Sequence, residues 1–194
     1  MQHLFNETDL SGWQGDPSRW SVVQGMIRGA NEDKVTSSTY LFTDKKFRNF
    51  RLLLEVKQTM SDRHSTMHSA VAALGQQFTD GGENQFGFKG PLLMFCHDWG
   101  IWDAHRRNRV VPGAAGGELE KKGEWNQIEI LVNGDRIRMA TNGKEVFDFT
   151  DKPEMLQACA IGLQLHSNDQ PQEYHFRNLL LTENPGMNLV TVHK

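Results

Sequence analysis

The 194-residue chain lacks any run approaching the roughly 18 apolar residues of a membrane-spanning helix. It also lacks an excess of basic charge, with 21 Lys and Arg against 24 Asp and Glu and a formal charge of -3. That balance offers a nucleic-acid backbone no basic face, so nucleic acid is excluded as a partner. Cysteine is scarce. Cys96 and Cys159 form no C-x-x-C pair, which rules out a thiolate cluster and a disulfide scaffold, but neither a single bridge nor two packed thiols. G-x-S-x-G, the Walker loop, G-x-G-x-x-G and H-E-x-x-H are missing, which removes the commonest nucleophile, phosphate, dinucleotide and zinc-peptidase classes. Residues 1–6 lack the charged start and apolar stretch of a signal peptide. A periplasmic or secreted location follows if a leader was removed, a cytoplasmic one otherwise.

What is present points to strands. Eighteen Gly and five Trp punctuate short apolar runs in a chain that is 38% hydrophobic and 23% charged, the composition of an all-β globular protein. Residues 48–57 (R-N-F-R-L-L-L-E-V-K) alternate, with Phe50, Leu52, Leu54 and Val56 on one face and Arg51, Leu53, Glu55 and Lys57 on the other. Residues 126–132 alternate again, and Asn133-Gly134 turns the chain into residues 136–140. A second Asn-Gly, at Asn142-Gly143, leads into residues 144–149. Asn-Gly supplies the positive φ of a tight turn, so this region reads as a three-strand meander. Further strands are expected at 40–43, 160–166 and 174–182, with a hairpin over 20–28 turning at Gln24-Gly25. No linker or repeat divides the chain, so residues 1–186 form a single domain and 187–194 a loose tail. Residues 65–78 resist this pattern. Met67, Ala70, Val71, Leu74 and Phe78 fit a helical period at least as well as an extended one.

Many antiparallel strands with little helix make a two-sheet sandwich the economical architecture. The polar strand faces carry Glu55, Lys57, Glu129, Gln164 and His166. These are either solvated faces or the groups needed to hydrogen-bond a polyol and move a proton. The densest chemistry lies in residues 95–108 (F-C-H-D-W-G-I-W-D-A-H-R-R-N). Trp99 and Trp102 offer aromatic plates for a sugar ring, and Asp103 and Arg107 offer planar groups for hydroxyl pairs. The other reading is a loop whose indoles plug the end of the sandwich. His97, Asp98, Asp103 and His105, with His64 and His68 four apart, are metal-type ligands that match no tight motif. No cofactor is certain, and a divalent metal ion is left open.

Residues 4–13 (L-F-N-E-T-D-L-S-G-W) resemble the opening of the 3-keto-disaccharide hydrolase domain family. Ordered matches follow at 20–29, 49–55, 123–126, 142–143, 161–166 (I-G-L-Q-L-H) and 176–179, spanning nearly the whole chain. The resemblance implies a concanavalin A-like jelly-roll sandwich and a carbohydrate substrate, a glycoside already oxidised at C3. It carries Glu55, Gln164, His166 and Arg177 onto family positions and aligns His68-Ser69-Ala70 with a family strand, which favours strand over helix there. The chain departs from the family where Asn becomes His68, and where Gly90-Pro-Leu-Leu-Met-Phe95 replaces a segment with an acidic residue. That moves or removes the acidic role, with Asp98 and Asp103 as candidates to take it.

A ketone at C3 acidifies the C2 proton, and its loss lets the C1 group depart by β-elimination. Water addition to the enone completes a net hydrolysis. The site needs one base and one electrophile for the ketone oxygen. The expected catalytic set is His166 or Glu55 as base with Lys57, another His or a cation on the oxygen. Trp99, Trp102, Asp103, Arg107, Gln164 and His68 are the expected substrate-binding residues. A lectin-like sandwich that binds carbohydrate without catalysis is the principal alternative. An ordinary retaining glycosidase needs two carboxylates about 5 Å apart, and no E-x-D-x-x-E strand supplies them.

Overall fold

A computed structural model describes residues 1–66, 69–80, 84–94, 99–111 and 116–192. Strands are numbered in chain order. Sheet I runs, in spatial order, β15 (Lys144–Thr150), β14 (Arg136–Thr141), β13 (Asn126–Asn133), β6 (Phe50–Gln58), β17 (Gln172–Glu183), β4 (Met26–Asn31) and β3 (Trp20–Val23). The two-residue β1 (Gln2–His3) also pairs with β17. Sheet II runs β12 (Asn108–Val111), β11 (Ile101–Asp103), β10 (Leu92–Met94), β7 (Ala70–Ala72), β16 (Cys159–Leu165), β5 (Thr39–Phe47) and β2 (Trp13–Gln14). A separate hairpin joins β8 (Gln76–Phe78) to β9 (Gly87–Lys89). Among the described residues, helix is confined to Gly116–Leu119 and a single 3-10 turn at Pro153–Met155. This is the all-β jelly-roll sandwich that the alternation and the resemblance imply.

The core lies between the sheets. Leu52 and Leu54 on β6 and Ile128 and Ile130 on β13 meet Leu163 and Leu165 on β16, all essentially without exposure. Burying such side chains stabilises the fold by roughly 1.5–3 kcal/mol each. The three-strand meander forms, but its first turn is Gly134-Asp135, with Asn133 still in the strand and paired to Arg136. Asn142 at φ 50° and Gly143 at φ 83° make the two-residue turn between paired Thr141 and Lys144. Gln24 and Gly25, also at positive φ, do the same between Val23 and Met26.

Residues 70–72 and 76–78 are strands, not helix. β7 sits inside sheet II between β10 and β16. Its Val71 enters the inter-sheet core while Ala70 and Ala72 join a second apolar cluster on the opposite face. A strand buried on both faces shows no alternation, which is why its pattern mimics a helix.

Within the stretch expected to be a loose tail, residues 188–191 are held against sheet I. Glu129 is fully buried on the outer face of sheet I, 2.9 Å from Arg51 Nε. Its carboxylate also accepts from the backbone amides of Val190 and Thr191 and from the Thr191 hydroxyl. Arg51 in turn donates to the Asn188 carbonyl. An acid on β13 and a base on the neighbouring β6 thus become the clasp for residues 188–191.

Candidate active site

The outer face of sheet II is apolar along much of its width. Tyr40 and Phe42 on β5, Ala70 and Ala72 on β7, and Leu92 and Met94 on β10 form one buried cluster with Phe88 from the β8–β9 hairpin. Gly162 makes this face flat, since a Cβ there would lie 2.6 Å from the Phe42 ring. Over this floor opens a cleft of about 560 Å³, a volume in the range of small-molecule sites. Phe78 and Phe88 wall one side, and Trp99, Trp102, Ala104 and His105 the other. His105 meets Phe78 edge-on, ring centres 5.4 Å apart, so the two walls touch.

Gln164 and His166 enter the cleft together because Ile161, Leu163 and Leu165, of opposite parity, fill the core. Gln164 is almost completely buried, and its Nε2 donates to the Tyr40 phenol oxygen at 3.2 Å. Its Oε1 has no hydrogen-bond partner among the described residues, a costly state for a buried acceptor and one that a ligand hydroxyl would relieve. Burial pushes the Tyr40 phenol well above its ordinary pKa, so it stays protonated and able to donate. His166 Nδ1 lies 2.6 Å from the Ser167 carbonyl oxygen. A carbonyl only accepts, so Nδ1 is the donor in this contact. Asn84 donates to the Ser38 carbonyl and Ser38 Oγ accepts from the Ser167 amide, which ties the neighbouring loops to this polar end.

The aromatic loop divides by parity. Trp102 faces the cleft, whereas Ile101 and Asp103 point the other way and are wholly buried. Asp103 accepts from Arg106 and Arg107, and Arg107 also forks onto Asp151 at 2.7 and 2.9 Å. Burial opposes ionisation of Asp151, but the Arg107 hydrogen bonds and charge outweigh it and hold its pKa below the usual carboxylate range. Asp103 and Arg107, expected to bind hydroxyl pairs, are spent on this ion cluster and do not line the cleft. They fix the turn that presents Ala104 and His105. Trp99 and Trp102 are in place, but their rings meet at 70° with centres 5.1 Å apart. They form a corner, not a flat plate.

Glu55 and Lys57 are not in the cleft either. They project from the outer face of sheet I, on the far side of the sandwich from His166. Glu55 accepts from Arg177 Nε at 2.6 Å, with the Arg177 guanidinium stacked 3.9 Å over Trp125. Lys57 lies opposite His175 in the strand register. His68, together with Cys96, His97 and Asp98, lies outside the described residues. Among the described residues no three His, Cys, Asp or Glu side chains converge as metal ligands, and Cys159 is a free buried thiol. Sequence reasoning missed Tyr40, Asn84 and Asp80 as lining residues. Tyr40 has a local signal, since it shares parity with Phe42 and opposes the core residue Leu41. Asp80 and Asn84 carry none, because they arrive on the connection between β8 and β9.

Residues 1–182 match the 3-keto-alpha-glucoside-1,2-lyase-like domain. Among solved structures, a protein of Parabacteroides distasonis provisionally assigned as a glycosyl hydrolase superimposes with a TM-score of 0.61 at 19% identity, covering 94% of this chain and 93% of that one. A carbohydrate-binding module from Bacillus subtilis gives 0.62 at 12% identity over 88% and 94%. A protein of unknown function with a galectin-like fold, also from Bacillus subtilis, gives 0.63 at 7% over 90% of each chain. At these identities the likeness is one of fold. No curated protein matches the chain.

Proposed function

This chain belongs to the 3-keto-alpha-glucoside-1,2-lyase-like domain family, and from that premise we propose that it cleaves the glycosidic bond of 3-keto-glycosides or 3-keto-disaccharides in the cleft on sheet II. His166 Nε2 takes the C2 proton, and the electron pair passes into the C3 carbonyl as an enolate. The enolate then re-forms the ketone with a C1–C2 double bond, expelling the C1 oxygen, which leaves protonated. Water adds across the C1–C2 double bond, its oxygen to C1 and a proton to C2, which gives the free 3-keto sugar. Tyr40, protonated and aimed into the same cleft, is the donor for the enolate oxygen, the part left from sequence to Lys57, another His or a cation. Gln164 Oε1 accepts from a hydroxyl beside the ketone.

The observation that carries this reading is the pairing of an anchored imidazole with a buried, unsatisfied amide oxygen in one sugar-sized cleft. A hydrophobic groove meant only to adhere to sugar has no need of a histidine anchored through Nδ1. The test is incubation with a 3-keto-glucoside and with its unoxidised parent, each with and without chelator, following aglycone release. The reading expects release from the ketone and none from the parent, whose C2 proton is not acidic. Cleavage of the parent at a similar rate would exclude elimination. Tight binding of the ketone without release would leave a carbohydrate-binding module. Loss of release with chelator would direct attention to His68, His97 and Asp98.

A further inference from the structure

The cleft is chemically two-sided, and the strand order of sheet II sets the division. At the β5–β16 end stand Tyr40, Gln164 and His166, with Ser38 and Asn84 on the adjoining loops. At the β10–β11 end stand Leu92, Met94, Trp99 and Trp102, with His105 just past β11 as the single polar ring on that side. A sugar oxidised at C3 presents hydroxyls and a carbonyl, so it belongs at the first end. The group attached at C1 then extends over the second.

Two further observations bear on that group. The indoles of Trp99 and Trp102 meet edge to face, which makes a corner that receives the edge of a flat ring better than the broad face of a second sugar. Trp99 is also 38% exposed, an apolar surface left in water until something covers it. Charge is the other observation. Among the described lining residues there is no Lys or Arg, and Asp80 is the single carboxylate. The nearest arginines in sequence, Arg106 and Arg107, are engaged by Asp103, Asp151 and the Met155 carbonyl. A phosphate or carboxylate on the ligand would meet no lysine or arginine among the described lining residues and would be desolvated in a cleft that holds Asp80.

We propose that the cleft selects an uncharged glycoside with an apolar, ring-bearing leaving group, the sugar on the β5–β16 half and the leaving group in the Trp99–Trp102 corner. Sugar phosphates, uronates and glycosides of anionic aglycones are excluded. The assignment of the two halves rests on the keto-glycoside reading above, whereas the preference itself is a property of binding.

Calorimetric titration separates the two. The probes are phenyl glucoside, methyl glucoside and phenyl glucoside 6-phosphate, unoxidised and therefore inert under the proposed chemistry. The proposal expects phenyl glucoside to bind at least 10-fold more tightly than methyl glucoside, and the 6-phosphate at least 10-fold more weakly than its parent. Trp99→Ala, at an exposed position, should lower affinity for the phenyl compound at least five-fold more than for the methyl compound. Trp102→Ala should act in the same sense. Equal affinity for phenyl and methyl glucosides, undiminished binding of the phosphate, or no binding of any probe would overturn the proposal. Cleavage of 3-keto-glucosides without the phenyl preference would sink this inference and leave the proposed function standing. The preference without any cleavage would do the reverse.

Discussion

The side-chain amide of Gln164 donates to the phenol oxygen of Tyr40 across 3.2 Å, joining β16 to β5 beneath the cleft. Because the phenol oxygen is the acceptor in that bond, its proton is directed elsewhere, and among the described residues nothing accepts it. Tyr40→Phe keeps the ring and its stacking on Phe42 while removing one donor. Turnover of a 3-keto-glucoside should fall at least about 10-fold, with KM changing less than kcat. Steady-state kinetics on the folded variant checks this, and a loss confined to KM would reduce Tyr40 to a binding group.

His166→Gln keeps hydrogen-bonding capacity and removes the base. Turnover should fall at least about 100-fold while the ketone still binds. Near-normal activity would move the base to His105 or to the undescribed His97. It would not return it to Glu55, which lies across the sandwich.

Asp103→Ala should behave as a stability lesion. It strips a fully buried carboxylate from Arg106 and Arg107, a change expected to cost about 3 kcal/mol. Chemical denaturation should show that loss, while sugar affinity of the folded fraction should fall less than in Trp102→Ala. The opposite ranking would restore Asp103 as a ligand contact.

Glu173 makes part of the stability depend on pH. Burial opposes its ionisation, but hydrogen bonds from His175, Arg28 and Thr59 and the Arg28 charge prevail and lower its pKa from 4.5 to about 2. A depressed carboxyl pKa adds stability that is present above the unfolded value and lost as pH falls through the folded one. Wild type should therefore exceed Glu173→Gln at pH 7 by about 1 kcal/mol, the size of a partly exposed pair. The difference should shrink from about pH 4.5 downward and vanish near pH 2. Thermal unfolding across that range is the measurement, and a constant difference would refute the assignment.

Removing residues 187–194 should destabilise the domain although residues 187–192 form no strand. Glu129 would lose its contacts with Val190 and Thr191 and remain buried only against Arg51. The expected cost is about 2–3 kcal/mol. Equilibrium unfolding of the shortened chain checks it, and full stability would mean that the clasp is ornamental.

What the sequence disclosed was local. Alternation sorted Gln164 and His166 from Leu163 and Leu165, and Asn-Gly placed the meander turn, because both depend on a few adjacent residues. Parity assigns a residue to one face of its own strand, but it cannot say to which sheet that strand belongs. Chemistry and the family resemblance both group Glu55 with His166, whereas the chain order puts their strands in different sheets. Asp103 and Arg107 were misread for a related reason. A buried ion cluster and a hydroxyl-binding site use the same residue types, and the partner that decides between them, Asp151, is distant in sequence. Asp80 and Asn84 reach the cleft through the β8–β9 connection, whose position depends on contacts no local pattern encodes.

The parity of β16 makes its register a single point of failure. Its odd-numbered residues 161, 163 and 165 are anchored among the core side chains, while Gly162, Gln164 and then His166 serve the opposite side. A slip of one position would drive an imidazole and an amide into the hydrocarbon interior and turn leucines toward the ligand. Folding and recognition are thus interleaved on one seven-residue ribbon. Deleting a single residue there would abolish both at once, whereas a substitution at one parity can leave the other's task intact.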